Sequence, residues 1–409
     1  MDERQGQRNI YAAAIAGCIG FTGFTLVMPF LPLYIAELGT TDVGEIALWT
    51  GLTLGATPTV TAISAPLWGR VGDKYGSKLL VIRSLTAFVL TKAAMAFVTA
   101  PWQLFALRAL LGVFAGYGAL TMSMAAQSAP REKMAEAIGL VQTGHRLGPA
   151  IGPVVGGALA PLVGLRNAFL VSAVFYLAAM LLVIVVYKDP VKRAQAAGAR
   201  GGWSVFRQLL RLPGFLLALF VIFALQTVDR SFGPVLPLFV AQVGVEGGRI
   251  PLVSGVLFSL GAVSAAFGSQ LAPRLLKRRS PKAIIVGGTV TAAVALGTIV
   301  VAPNVWIVGA AMVIAGTAMG SSTTVIYSVG GGLLPGDAHA TGFGIMTTAS
   351  LLGLAVSPVV AGLIGSAGLR IVFVADVCLL VIVAILVWGA LRTLPPVARD
   401  SGDAALAEP

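Results

Sequence analysis

The chain has 409 residues but only two cysteines, two histidines and 11% charged residues. Charged side chains make up about a quarter of an ordinary soluble domain, so this sequence lacks the material for a water-facing surface. Cys18 and Cys378 fall inside the first and last apolar runs, which leaves no disulfide framework to read. No metal cluster, nucleophile–base pair or phosphate-binding loop stands in the polar segments. The expectation is no enzyme, no metal and no cofactor.

What the chain has instead is apolar length. It is 57% hydrophobic, with a mean hydropathy of +0.91, and runs long enough to cross a bilayer as helices recur throughout. Twelve spans are predicted, over 10–36, 44–68, 79–98, 102–125, 135–162, 166–187, 214–241, 250–273, 283–301, 305–329, 340–365 and 369–392. The 50 glycines and 22 prolines fit this reading, because spanning helices tolerate both. The first run has no cleavage-like site followed by a soluble domain, so it reads as a retained span. The fold class is an all-α membrane protein embedded in a lipid bilayer.

A net charge of +12 would suit a nucleic-acid partner until the charges are placed. Arg4, Arg8, Arg70, Lys74, Lys78, Arg83, Arg131, Lys133, the linker cations, the run at 274–282, Arg392 and Arg399 fall on one side. Only Arg166, Arg249 and Arg370 fall on the other, and Lys92, Arg108, Arg146 and Arg230 sit within spans. The positive-inside rule then puts both termini in the cytoplasm. The basicity is topological, and no nucleic acid is expected.

The sequence also repeats itself. "MPFLPLYIAELG" (28–39) returns as "GPVLPLFVAQVG" (233–244), and "GPAIGPVVGGAL" (148–159) as "GLAVSPVVAGLI" (353–364), both 205 residues on. "GLR" at 164–166 returns at 368–370. The halves read as parallel six-helix repeats related by an axis along the membrane normal. The expected organisation is a bundle at 1–187, a cytoplasmic linker at 188–213 with an amphipathic stretch at 203–211, a bundle at 214–393 and a cytoplasmic tail at 394–409.

Three motifs stand out. "GRVGDKYGSKLL" (69–80) places Gly69, Gly72 and Gly76 around Asp73, Lys74 and Lys78 on the turn between spans two and three. "RALLG" (108–112) puts Arg108 about a turn into span four, where a snorkelling arginine is the plain alternative. "GPAIGPVVGG" (148–157) carries Gly148, Gly152, Pro153, Gly156 and Gly157 at spacings that allow close helix packing. The first resembles the loop signature of the major facilitator superfamily, and the last the antiporter motif of its drug:H⁺ antiporters, the multidrug exporters. The resemblance covers 10–392 and implies a twelve-helix transporter. It further implies a cytoplasmic latch at Gly69, Asp73, Lys74, Gly76 and Lys78, and a link between Arg108 and proton transfer.

Charges inside spans narrow the proton candidates. A charge at the bilayer centre costs roughly 2.5–3.5 kcal/mol by insertion scales, yet "ALQTVDRSFGPVLPL" (224–238) holds Asp229 and Arg230 side by side. Successive helical side chains point about 100° apart. The expected arrangement therefore has one residue in the cavity and the other paired with a neighbouring helix. Asp229 is the expected proton carrier, with Arg230, Arg108 and His145 as coupling partners; a structural ion pair is the alternative. Asp376 is the other intramembrane acid, on a helix expected to be peripheral. Phe21, Phe24, Tyr34, Gln142, Arg146, Gln226, Phe232 and Phe258 are the expected lining of an apolar, partly aromatic cavity.

The function these features imply is proton-coupled efflux of a lipophilic small molecule by alternating access, carried out by a monomer in the cell membrane. Facilitated or proton-coupled transport of a polar metabolite is the nearest alternative. A non-transporting membrane receptor or scaffold is the alternative of another class.

Overall fold

The structure is a computed structural model whose described residues are 3–130, 133–188, 207–209, 211, 212, 214–335 and 339–390. Side chains at 3, 65–67, 69–75, 135, 339, 340 and 390 fall outside that description. Most of the expected linker, including much of its amphipathic stretch, and the whole expected tail lie outside it too.

The first half contains α1 (Glu3–Thr25), α2 (Leu31–Glu37), α3 (Val43–Tyr75), α4 (Ser77–Met95), α5 (Pro101–Val113), α6 (Tyr117–Ser128), α7 (Met134–Val163) and α8 (Leu165–Val186). The second contains α9 (Phe215–Gln242), α10 (Ile250–Leu276), α11 (Pro281–Val300), α12 (Val305–Gly332), α13 (His339–Ala367) and α14 (Leu369–Ala390). Helices satisfy their own backbone N–H and C=O groups, which a hydrocarbon solvent demands. Twelve spans result among the described residues, because α1 with α2 and α5 with α6 each form one crossing. Eleven qualify on length and hydropathy alone. The twelfth, α4, carries Lys78, Arg83 and Lys92 within 19 residues.

Two spans are broken, contrary to the expectation of continuous runs. The first breaks because Pro29 and Pro32 cannot donate to the carbonyls four residues back, and a short 3₁₀ turn at Met28–Phe30 bridges α1 to α2. The fourth breaks at Gly116, whose φ of +110° lies in the left-handed region. Its loosened carbonyls are taken up from outside the helix. Thr61 and Ser64 donate to the Gly112 oxygen (3.3 and 3.2 Å), Trp68 Nε1 to Val113 (2.5 Å) and Arg83 to Phe114 (3.1 Å). The turn expected at 69–80 also shrinks. With no proline in 69–75, the helix runs on to Tyr75, and Gly76 alone, at φ +88°, makes the reversal.

The repeat survives as contacts. A Cβ on Gly148 of α7 would lie 2.8 Å from the Cys18 oxygen of α1, and one on Gly353 of α13 would lie 2.7 Å from the Phe223 oxygen of α9. Both residues of each pair are related by the offset of 205. The two "GLR" elements also act alike: Arg166 donates to the Val98 oxygen (3.2 Å), just past the end of α4, and Arg370 to Val300 at the end of α11.

The halves meet along α3 with α13 and α7 with α10. Among the glycines, these meetings gather toward the distal end, opposite the two termini. A Cβ on Gly44 would lie 2.6 Å from the Ser366 oxygen and one on Gly362 2.7 Å from the Ala47 oxygen, while one on Gly157 would lie 2.9 Å from the Pro251 carbonyl carbon. Nearer the termini Gly139 of α7 and Gly344 of α13 meet nothing within 4 Å. Gln142, Arg146, Asp229, Thr347 and Thr348 are exposed there and at mid-depth. The molecule is closed distally and open toward the termini.

Candidate functional site

The antiporter-type motif builds a wall before it does any chemistry. Gly144, Gly148, Gly152 and Gly156 recur every fourth residue on α7, and a Cβ on any of them would collide with α1 backbone or side-chain atoms between Ala14 and Leu26. Thr25 Oγ1 reaches the Gly148 oxygen at 3.5 Å across this seam. Gly157 turns away from the seam to meet α10, so adjacent glycines serve different interfaces. Pro153, on the same stretch, is buried, and its carbonyl backs Gly255 of α10. In the second half Ser357 stands at the place of Gly152, and its hydroxyl donates to the Thr227 oxygen.

Asp229 and Arg230 lie near the middle of α9, and the expectation of separate partners is wrong. Arg230 Nε stands 3.1 Å from Asp229 Oδ2, with the side chains 32% and 49% exposed. The two side chains bend toward each other, and no acid on a neighbouring helix takes Arg230 among the described residues. Their neighbourhood on α9 also holds Gln226, half-buried, and Phe232, which is buried against Phe373 at 5.6 Å between ring centres.

His145 is set between α1 and α6. Its ring lies 4.7 Å from that of Phe21, and its Nε2 is 2.9 Å from Thr121 Oγ1. That hydroxyl also bonds the Tyr117 and Gly118 carbonyls (3.1 and 2.9 Å). With its single proton committed there, Nε2 is the donor to the threonine. No described carboxylate forms an ion pair with His145, and none of its contacts reaches Asp229. Exposed Arg146 follows it on the open side of α7.

Arg108 is not a snorkelling residue. It lies two turns into α5 and is 1% exposed, with its guanidinium carbon 5.9 Å from the centre of the Phe24 ring. Tyr34 does not line open space either. It is fully buried against Phe169 (4.8 Å), and its hydroxyl donates to the Met95 oxygen at 2.7 Å. Phe21, Phe24 and Phe258 are half-buried, and Gln142 is exposed. Of the latch residues, 69–75 have side chains outside the description. Lys78 donates to the Tyr187 and Ile184 oxygens (2.5 and 3.4 Å), at the end of α8 in its own half.

Two residues matter more than the sequence suggested. Asp376 of α14 is not peripheral: it is 4% exposed and accepts a 2.6 Å hydrogen bond from Ser231, two residues after Asp229. It borders a cavity of about 90 Å³ shared with Thr227, Ser231 and Ser357. Lys92 of α4 is fully buried. An ionisable residue deep inside an apolar span was the available signal for both. Another cavity, of about 560 Å³, lies among α10, α11 and α12 around Leu271, Ile284 and Thr317, and none of the expected site residues lines it.

This arrangement is matched outside the chain. The sequence profile described as Major Facilitator Superfamily matches residues 13–358 and 280–408. The chain belongs to the major facilitator superfamily. It is accordingly a multi-pass membrane transporter. It is 30% identical over 398 residues to the multidrug resistance protein MdtG of Dickeya zeae, covering 94% of this chain and 95% of that one. It is 29% identical over 399 residues to MdtG of Escherichia fergusonii, with the same coverage of both chains. Its fold is similar to a bacterial homologue of the human lysosomal transporter Spinster in an inward-facing and occupied conformation. That match has a TM-score of 0.77 at 17% identity and covers 94% of this chain and 96% of that one.

Proposed function

We infer that the chain exports lipophilic or amphipathic small molecules in exchange for protons by alternating access. The observation that carries this reading is the Asp229–Arg230 pair, exposed halfway along a spanning helix on the side left open by the distal closure. A carboxylate at that depth is costly unless protonated or paired. Water-filled access from one side gives it a route to protons. The likeness to MdtG proteins supports small-molecule substrates of the drug class. With both termini in the cytoplasm, the open side faces the cytoplasm, where an exporter loads. Residues 1–187 and 214–393 rock as bundles about the distal α3–α13 and α7–α10 contacts. The Asp73 latch, Arg108, Arg230 and His145 keep their proposed coupling roles, with no enzymatic step, and the transporter acts as a monomer.

The test is drug-induced proton release from the detergent-solubilised protein, wild type against Asp229→Asn. The expected result is release in the wild type and its loss in the variant. Undiminished release in Asp229→Asn would remove Asp229 as the proton carrier.

A further inference from the structure

Behind Phe24, the first half contains a cluster of donors with nothing to receive them. Lys92 Nζ of α4, Arg108 Nε and Nη2 of α5, Tyr117 Oη of α6 and Tyr176 Oη of α8 are all buried and make no hydrogen bond. The four side chains are between 0 and 5% exposed. They form one neighbourhood. Phe88 stands edge-on to Tyr117 and Tyr176 at 6.4 and 5.1 Å between ring centres, and Lys92 lies one turn further along the helix of Phe88. A Cβ on Gly23, next to the Phe24 that Arg108 lies over, would sit 3.6 Å from the Tyr176 ring. Lys92 Nζ lies 5.8 Å from the ring centre of Phe169 and Arg108 lies over Phe24, so aromatic faces are the partners the cations have. No described carboxylate pairs with either one.

Folding alone does not favour this. A buried cation without a counter-charge is strongly unfavourable, and apolar residues of similar volume often replace buried charges without loss. The open donors also have a shape. Nε and Nη2 lie on the same edge of the guanidinium, the fork that takes both oxygens of a carboxylate. An ammonium group and two phenols remain for the other lone pairs. Every group is a donor, which selects an anion and rejects a cation. The walls are Phe24, Phe88 and Phe169, which suit an apolar body behind the head.

We propose that Lys92, Arg108, Tyr117 and Tyr176 form an anion-binding subsite that takes the carboxylate head of a lipophilic monoanion, making amphipathic acids substrates of this transporter. The ligand enters from the open side by displacing the half-buried Phe24 ring. This rests on the export reading for its biological direction, but the binding itself does not depend on proton coupling.

The experiment is calorimetric titration of the full-length, detergent-solubilised protein with 1-naphthaleneacetate and with its neutral amide, 1-naphthaleneacetamide. The wild type is expected to prefer the carboxylate by about ten- to a hundredfold, the range of charge-assisted hydrogen bonds. Lys92→Met is expected to erase that preference while melting no lower than the wild type without ligand. Should Lys92→Met not yield folded protein, Lys92→Gln decides in the same way. Equal affinity of the wild type for acid and amide would overturn the proposal, as would a Lys92 variant that keeps the preference. A carboxylate preference that depends on Lys92, in a protein that releases no protons on drug addition, would sustain the subsite and remove the exchange reading.

Discussion

Gly156 and Gly157 are neighbours on α7, and replacing each by alanine should do different things. At Gly156 a new Cβ would sit 2.7 Å from the Leu26 carbonyl carbon, inside the α1–α7 seam of one bundle. At Gly157 it would sit 2.9 Å from the Pro251 carbonyl carbon and 3.0 Å from Leu252 Cα, across the distal contact between halves. Ordinary Cβ contacts begin at 3.4 Å, so both helices must give by several tenths of an ångström against backbone. Overpacking of this kind costs about 1–3 kcal/mol. In Gly156→Ala the cost falls on every state of the transporter and appears as a lower melting temperature. In Gly157→Ala it falls only on the distally closed state, because the proposed alternating access would separate α7 from α10 in the other. A penalty of 1–3 kcal/mol then moves the ratio of the two states by about 5- to 150-fold toward distal opening. Spin labels at Thr41 and Glu246, on distal loops of the two halves, would report this by electron–electron distance measurement once Cys18 and Cys378 are serines. An unchanged distance distribution in Gly157→Ala, with a melting loss matching Gly156→Ala, would refute the division of labour.

Two further outcomes follow from backbone needs. Arg166→Gln should lower thermal stability by about 1–3 kcal/mol, the cost of stranding buried acceptors, because the carbonyls beyond α4 lose their donor; a melting temperature equal to wild type would contradict the capping role. Gly116→Ala should destabilise by about 1 kcal/mol or more, since alanine resists a φ of +110°. A stabilised Gly116→Ala protein in the same melting assay would show that the break in the fourth span is not held at that residue.

The sequence determined the membrane, the twelve crossings and the doubling of the fold, because each depends on local composition repeated over long stretches. Apolar length fixes a span, and a 205-residue register is visible wherever glycine and proline recur, as at Gly148 and Gly353. Single-residue backbone features were half legible: the Pro29 and Pro32 pair stands out in the sequence, whereas the break at Gly116 depends on neighbours such as Trp68 and Arg83 that donate to the freed carbonyls. Tertiary structure alone decided which charges find company. Asp229 and Arg230 turned to one another, while Asp376 found Ser231 on another helix. Lys92 and Arg108 are separated by a distal turn in sequence, and Tyr117 and Tyr176 lie on two further helices. Only packing brings those four donors together without an acid, since the partner of a buried charge is set by helix arrangement and not by chain order.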